Sequence, residues 1–142
     1  MEIRRLTDDY AVSPQIAPED AATIRAAGFV AVICNRPDPE IPPGLHAARV
    51  RAAVEAAGMA FIDNPIISGG MTAENVAAQA RAMAAAGGPV FAYCASGNRS
   101  SIVWALANAG RMPTDDLIAI PARFGYQLEP LRAQIDAFGR RG

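Results

Sequence analysis

Between the apolar run Val90-Phe91-Ala92-Tyr93 and the segment Ser101-Ile102-Val103-Trp104 lies Cys94-Ala95-Ser96-Gly97-Asn98-Arg99-Ser100. A cysteine at the carboxyl end of a strand and the amino end of a helix faces backbone N–H groups with no intrahelical acceptor, and the positive end of the helix dipole. Both favour thiolate over thiol. Gly97 permits backbone angles closed to other residues, so successive N–H groups of the loop can turn inward around an oxyanion. Arg99 adds a planar, permanently charged fork suited to two-point contact with tetrahedral anions. Ser100 can hydrogen-bond the sulfur or help cap the helix. The chemistry these types imply is a thiolate nucleophile, Cys94, in an anion cradle formed by Ala95, Ser96, Gly97, Asn98, Arg99 and Ser100.

The elements that must position this loop alternate between strand and helix. Residues 3–6 and 10–12 are predicted as short strands joined by the polar turn Thr7-Asp8-Asp9, and Ser13-Pro14 breaks the second. Pro18 suits the first turn of a helix ending near Ala27, with Gly28 as its stop. The apolar, β-branched run 29–34 fits a parallel strand buried on both faces. A proline-rich loop covers 35–44 and leads to a helix over 45–57. A strand over 59–63 follows, and then a helix over 73–86 capped by Thr72. The strand 89–93 precedes the Cys94 loop and a helix reaching Ala109. Thr114 is predicted to cap a further helix that Pro121 kinks or ends, and Pro130 to open a last helix reaching Phe138. Such alternation predicts a mostly parallel sheet with helices on both faces, which binds ligands beyond the carboxyl ends of its strands. Residues 35–38, 63–71 and the Cys94 loop therefore belong to one edge.

Composition narrows the function classes. With 142 residues the chain is expected to form one domain. Aromatic residues are only 6% against a hydrophobic fraction of 51%, so alanine carries much of the apolar content and helices pack closely. The net charge of −1 and the lack of a sustained basic patch argue against nucleic-acid binding. No run approaches a membrane span and the amino terminus has no apolar secretion core, which predicts a cytoplasmic protein without membrane association. Two cysteines and one histidine argue against a disulfide scaffold and a four-ligand zinc site, and no cofactor is implied. His46, the single histidine, is expected to be exposed near a helix start. Trp104 is expected in the core behind the loop, and Tyr93 to hydrogen-bond nearby backbone. Arg36 reads as a solvated loop arginine, and Phe124 and Tyr126 as packing between the last helices.

The Cys94 loop, with Val12-Ser13-Pro14-Gln15-Ile16, Gly28-Phe29, Asn35-Arg36-Pro37-Asp38 and Trp104-Ala105-Leu106, resembles the phosphatase-like domain of the beta-lactamase hydrolase-like proteins. These are relatives of the tyrosine and dual-specificity phosphatases. The resemblance implies an α/β three-layer sandwich with a mostly parallel sheet of about five strands, and covalent chemistry on Cys94. Phosphatases of that superfamily carry His-Cys, five residues and Arg, whereas this chain has Tyr93-Cys94, four residues and Arg99. The shorter spacing is similar to that of single-domain rhodaneses, which carry a sulfur atom on the cysteine. Phosphatases also use an acid to protonate the leaving oxygen, commonly an Asp ahead of the cysteine strand. The corresponding stretch, 63–71, holds Asp63 alone, and Asp38 is a second candidate. The implied fold also sets the strand ending at Cys34 beside the one bearing Cys94. Cys34 is then either a core residue or a resolving thiol, if the two cysteines share a sheet face.

Loop length and the sparse acids favour sulfur transfer, with Cys94 passing a sulfane sulfur through a persulfide. A small oxyanion or persulfide donor would be the substrate, and an enzyme that handles persulfides a fitting partner. The alternative is hydrolysis of phosphate monoesters, with Asp63 or Asp38 as the acid. A non-catalytic anion or persulfide sensor is the third reading.

Overall fold

The computed structural model describes residues 1–141. Five strands form one sheet: β1 (Arg4–Thr7), β2 (Tyr10–Ser13), β3 (Ala31–Cys34), β4 (Ala60–Asp63) and β5 (Val90–Tyr93), in the spatial order β1-β2-β5-β3-β4. β1 and β2 form an antiparallel hairpin, and every other pairing is parallel. The carboxyl ends of β2, β3, β4 and β5 consequently share one edge, where the Cys94 loop emerges.

Six α-helices cover the sheet: α1 (Ala21–Ala26), α2 (Ala47–Ala56), α3 (Ala73–Ala85), α4 (Asn98–Ala107), α5 (Thr114–Ala122) and α6 (Arg132–Arg141). All residues of β3 and β5 are buried, as expected for apolar runs covered on both sides. Alternation then divides the core. Val12, Ala31, Ile33, Val90 and Ala92 pack with Val76, Val103, Leu117 and Ile135 on one face. Ala11, Val32, Cys34, Phe91 and Tyr93 pack with Ile24, Val50 and Val54 on the other. Layers of α1 and α2 on one side and α3 to α6 on the other make the three-layer α/β sandwich. Few aromatics are needed: Phe29 meets Phe91 edge-on at 5.5 Å, and Trp104 stacks on Tyr10 at 6.2 Å.

Helix starts differ from the sequence expectation where side chains find better partners. Single 3-10 turns, Pro18–Asp20 and Pro43–Leu45, precede α1 and α2. The start of α2 is capped from a distance, since Asp38 Oδ1 accepts the Ala47 N–H at 2.8 Å. Thr72 caps α3, with Asn75 returning the bond to the Thr72 N–H. Thr114 is the first helical residue of α5 and not its cap, because its hydroxyl reaches across to Asp136 of α6. Pro121 stands one residue before the end of α5, and α6 runs past Phe138 to Arg141. Among the described residues, no helix is long and apolar enough to cross a membrane.

Candidate active site

Cys94 immediately follows β5 and is 1% exposed. Its Sγ accepts the backbone N–H of Gly97 at 3.1 Å, which makes a tight turn of the loop. Gly97 holds φ at +98°, an angle that penalises any side chain, and a Cβ built on it would overlap the Tyr126 hydroxyl. α4 starts at the next residue. Asn98 N donates to Ser96 Oγ at 3.2 Å, and the first turn of the helix opens toward the sulfur end of the sheet.

Arg99 is held by two partners. Nη1 donates to Glu40 Oε2 at 2.9 Å and to the Ile66 carbonyl at 2.7 Å, while Nη2 donates to Glu40 Oε1 at 2.8 Å. A guanidinium has five N–H donors. Glu40 takes the end-on pair and Ile66 the outer Nη1 hydrogen, so the Nε–H and the second Nη2 hydrogen remain, side by side on one edge. Attraction to Glu40 raises the Arg99 pKa further, burial opposes it, and the nearby Cys94 adds to it. Arg99, with Arg36 beside it, holds the Glu40 carboxyl below its usual range. Arg36 is thus no free loop cation: Nε lies 3.2 Å from Glu40 Oε1 and Nη1 3.4 Å from Gln15 Oε1.

A buried polar network fixes the base of the loop. Ser100 Oγ donates to Asn35 Oδ1 at 2.8 Å, so the hydroxyl expected to serve the sulfur or the helix cap is spent on β3's carboxyl end. Asn35 Nδ2 donates to the Asn64 carbonyl and to Gln79 Oε1, and Asn64 Nδ2 also reaches Gln79 Oε1. Gln79 Nε2 donates to the Tyr10 hydroxyl at 3.0 Å, and Tyr10 donates to the Ser100 carbonyl at 2.8 Å. α3, β2, β3 and α4 are therefore tied through fully buried amides, whose specific geometry an apolar core would not supply.

Cys34 and Asp63 lie on the opposite face. In the β3–β5 register Cys34 pairs with Tyr93, and in β3–β4 with Asp63, so all three side chains share a face that Cys94, one residue on, does not. Cys34 Sγ bonds the Arg36 carbonyl, and burial pushes its thiol up to about 11. This arrangement does not bring Cys34 to Cys94. Asp63 stands a strand beyond β3, and partial desolvation, followed by the charge of Asp38, raises its carboxyl. Asp38 is occupied in capping α2, with His46 Nδ1 3.9 Å from its other oxygen. Neither carboxyl is brought to Cys94. The buried Tyr93 hydroxyl has no hydrogen-bond partner among the described residues, against the expectation of a backbone bond, and burial raises its pKa.

Sequence reasoning passed over Glu40, Arg4 and the role of Tyr126. Tyr126 donates to the Ser96 carbonyl at 2.8 Å and accepts from Arg4 Nη1 at 2.6 Å, so it braces the loop and is not mere helix packing. The only sequence signal for Glu40 is its place in the proline-rich loop on the correct sheet edge.

A five-stranded sheet of this order, with a Cys-to-Arg loop where the central strand passes into a helix, defines a phosphatase-like α/β protein of the cysteine-phosphatase kind. The family model for the beta-lactamase hydrolase-like protein, phosphatase-like domain, matches residues 2–111, and the chain belongs to this family. The beta-lactamase hydrolase-like protein of Xylella fastidiosa strain Temecula1 is 32% identical over 132 residues, which cover 90% of this chain and 30% of that protein. The chain thus matches less than a third of the length of this curated relative. The crystal structure of a candidate phosphatase from Neisseria meningitidis Z2491 superposes with a TM-score of 0.83 at 31% identity, over 97% of this chain and 99% of that one. Tk-PTP in its active form shares the fold, with a TM-score of 0.74 at 19% identity over 99% of this chain and 97% of its own. The expectation of sulfur transfer finds no support in these relationships. It rested on loop length and on the sparse acids, neither of which determines what an open guanidinium edge beside a thiol binds.

Proposed function

We propose that the chain is a cysteine-dependent phosphatase of phosphate monoesters. The observation that carries this reading is the open Nε–H and Nη2–H edge of Arg99 next to the buried Cys94 thiol, a spacing of donors suited to two oxygens of one phosphoryl group. In the first step the Cys94 thiolate attacks phosphorus and forms an S–P bond as the P–O bond to the leaving group breaks. Arg99 and the loop N–H groups hold the non-bridging oxygens, where negative charge stays through the transfer. The leaving oxygen takes its proton from water. In the second step water attacks phosphorus, the S–P bond breaks, inorganic phosphate departs and the thiolate returns. Glu40 keeps Arg99 in register throughout and, being held ionised, is not a proton donor.

The test is an assay of the purified chain on an aryl phosphate, beside thiosulfate plus cyanide, with Cys94→Ser as the control. Phosphate release that disappears in the variant is expected. Thiocyanate formation without phosphate release would overturn the reading in favour of sulfur transfer, and silence on both substrates would favour a sensor.

A further inference from the structure

Arg4 and Tyr126, 122 residues apart, meet at the Cys94 loop. The Tyr126 hydroxyl donates to the Ser96 carbonyl at 2.8 Å. That carbonyl and the Gly97 N–H belong to one planar trans peptide unit, so they point in opposite directions. With the carbonyl held outward, the N–H is directed inward, where it donates to Cys94 Sγ at 3.1 Å.

We propose that Tyr126, supported by Arg4, is a positioning residue that holds the Ser96–Gly97 peptide in the orientation that supplies the Cys94 sulfur with its N–H donor. The peptide needs a lock because glycine at φ +98° has other backbone conformations within reach. Rotation of this peptide alone would turn the Ser96 oxygen toward the sulfur, replacing a donor by a repelling acceptor. The Tyr126 hydroxyl opposes that rotation twice. It bonds the carbonyl, and it fills the space where a Cβ on residue 97 would stand. Arg4 completes the device: Nη1 donates to the hydroxyl at 2.6 Å, which leaves the tyrosine's own hydrogen for Ser96, and the guanidinium charge makes that hydroxyl a better donor. Glu2 holds Arg4 in place through Nε and Nη2, at 3.0 and 2.8 Å.

The charged and titratable groups around the sulfur come from four elements. Arg99 of α4, Tyr10 of β2 and Tyr126 of the segment after α5 lie near it, and Arg4 of β1 acts through Tyr126 and through its own longer contact with the Ser96 carbonyl, 3.5 Å from Nη1. Glu40 and Glu2 lie behind the two arginines. Among the described residues, only the pair Arg4 and Tyr126 bonds the Ser96 carbonyl.

The inference rests on Cys94 as the nucleophile but needs no phosphate ester for its test. The rate of Cys94 alkylation by iodoacetamide, read as a function of pH by mass spectrometry of the Cys94 peptide, reports the thiolate directly. For Tyr126→Phe the rate near neutral pH is expected to fall about tenfold, with recovery to the unaltered rate at high pH. Arg4→Met is expected to move the curve in the same direction by about threefold, and Arg4→Lys to restore most of the rate. An unchanged pH curve, or a loss by one factor at every pH, would overturn the inference, the second result marking simple loosening. Should Tyr126→Phe not fold, Arg4→Met at the partly exposed Arg4 carries the same test. A shifted alkylation curve in a chain without phosphatase activity would leave this inference standing and remove the functional one.

Discussion

The carboxylate of Glu40 and the guanidinium of Arg99 meet in a two-point ion pair, Oε2 to Nη1 at 2.9 Å and Oε1 to Nη2 at 2.8 Å, although 59 residues separate them. Because Glu40 takes the end-on edge of the fork, the side-on edge is the one left for an anion. Glu40→Ala is expected to lower kcat/KM for an aryl phosphate about tenfold, since a released Arg99 must be ordered in each turnover. Glu40→Gln retains an acceptor for one Nη and should stay within about threefold of the unaltered chain. Steady-state kinetics of the two variants check this, and equal losses would argue that the charge, not the positioning, matters.

The same pair makes a pH prediction. Arg99 first, then Arg36, hold the folded-state pKa of Glu40 below its unfolded value. Its contribution to stability is therefore present above the unfolded carboxyl value of about 4.3 and is lost as pH falls through the lower folded value. The side chain is 31% exposed, so the effect is modest. Melting temperatures followed downward from about pH 5 should fall more steeply for the unaltered chain than for Glu40→Gln, which lacks the titrating group.

Asp63 and Asp38 are expected to be dispensable for the chemistry. Asp63→Asn should leave kcat/KM on an aryl phosphate within about twofold, because its carboxyl shares a face with Cys34 and not with Cys94. Asp38→Ala should instead cost stability, about 1 kcal/mol, as the cap of α2 is lost. A loss of a hundredfold or more in either variant's kcat would restore it as the general acid.

Gln79 is fully buried and serves Tyr10, Asn35 and Asn64 at once. Gln79→Leu roughly keeps the volume but leaves one amide hydrogen each of Asn35 and Asn64 unpaired in the core and removes the donor to the Tyr10 oxygen. The expected cost is about 2–4 kcal/mol, read as a lower urea midpoint with an unchanged m-value. Activity should fall as well, since Asn35 positions Ser100 and hence the loop.

The elements around Cys94 were legible because local rules agree there. The run 29–34 and the strand before Cys94 are apolar throughout, and the structure buries every residue of β3 and β5. Gly97 reads as a turn glycine from its neighbours alone, and the structure adds the reason no side chain fits. Tertiary partners were not legible. Glu40 lies in a proline-rich loop whose period says nothing about direction, and only the parallel order of β3 and β5 brings it to Arg99. The separation of Cys34 from Cys94 depends on a one-residue offset in register, which strand pairing decides and composition does not. The preference for sulfur transfer found no support for a related reason: it weighed the number of residues in the loop and the sparse acids, while the orientation of Arg99 is fixed by groups outside the loop.

The central claim, that Cys94 carries a phosphoryl group in turnover, is tested most directly by acid-quenching the purified chain within the first turnover of an aryl phosphate and determining the mass of the Cys94 peptide. The account predicts one added phosphoryl group on Cys94 and none on Cys34, with none at all in Cys94→Ser. Aryl phosphate turnover with no modified Cys94, or turnover that survives in Cys94→Ser, would contradict it.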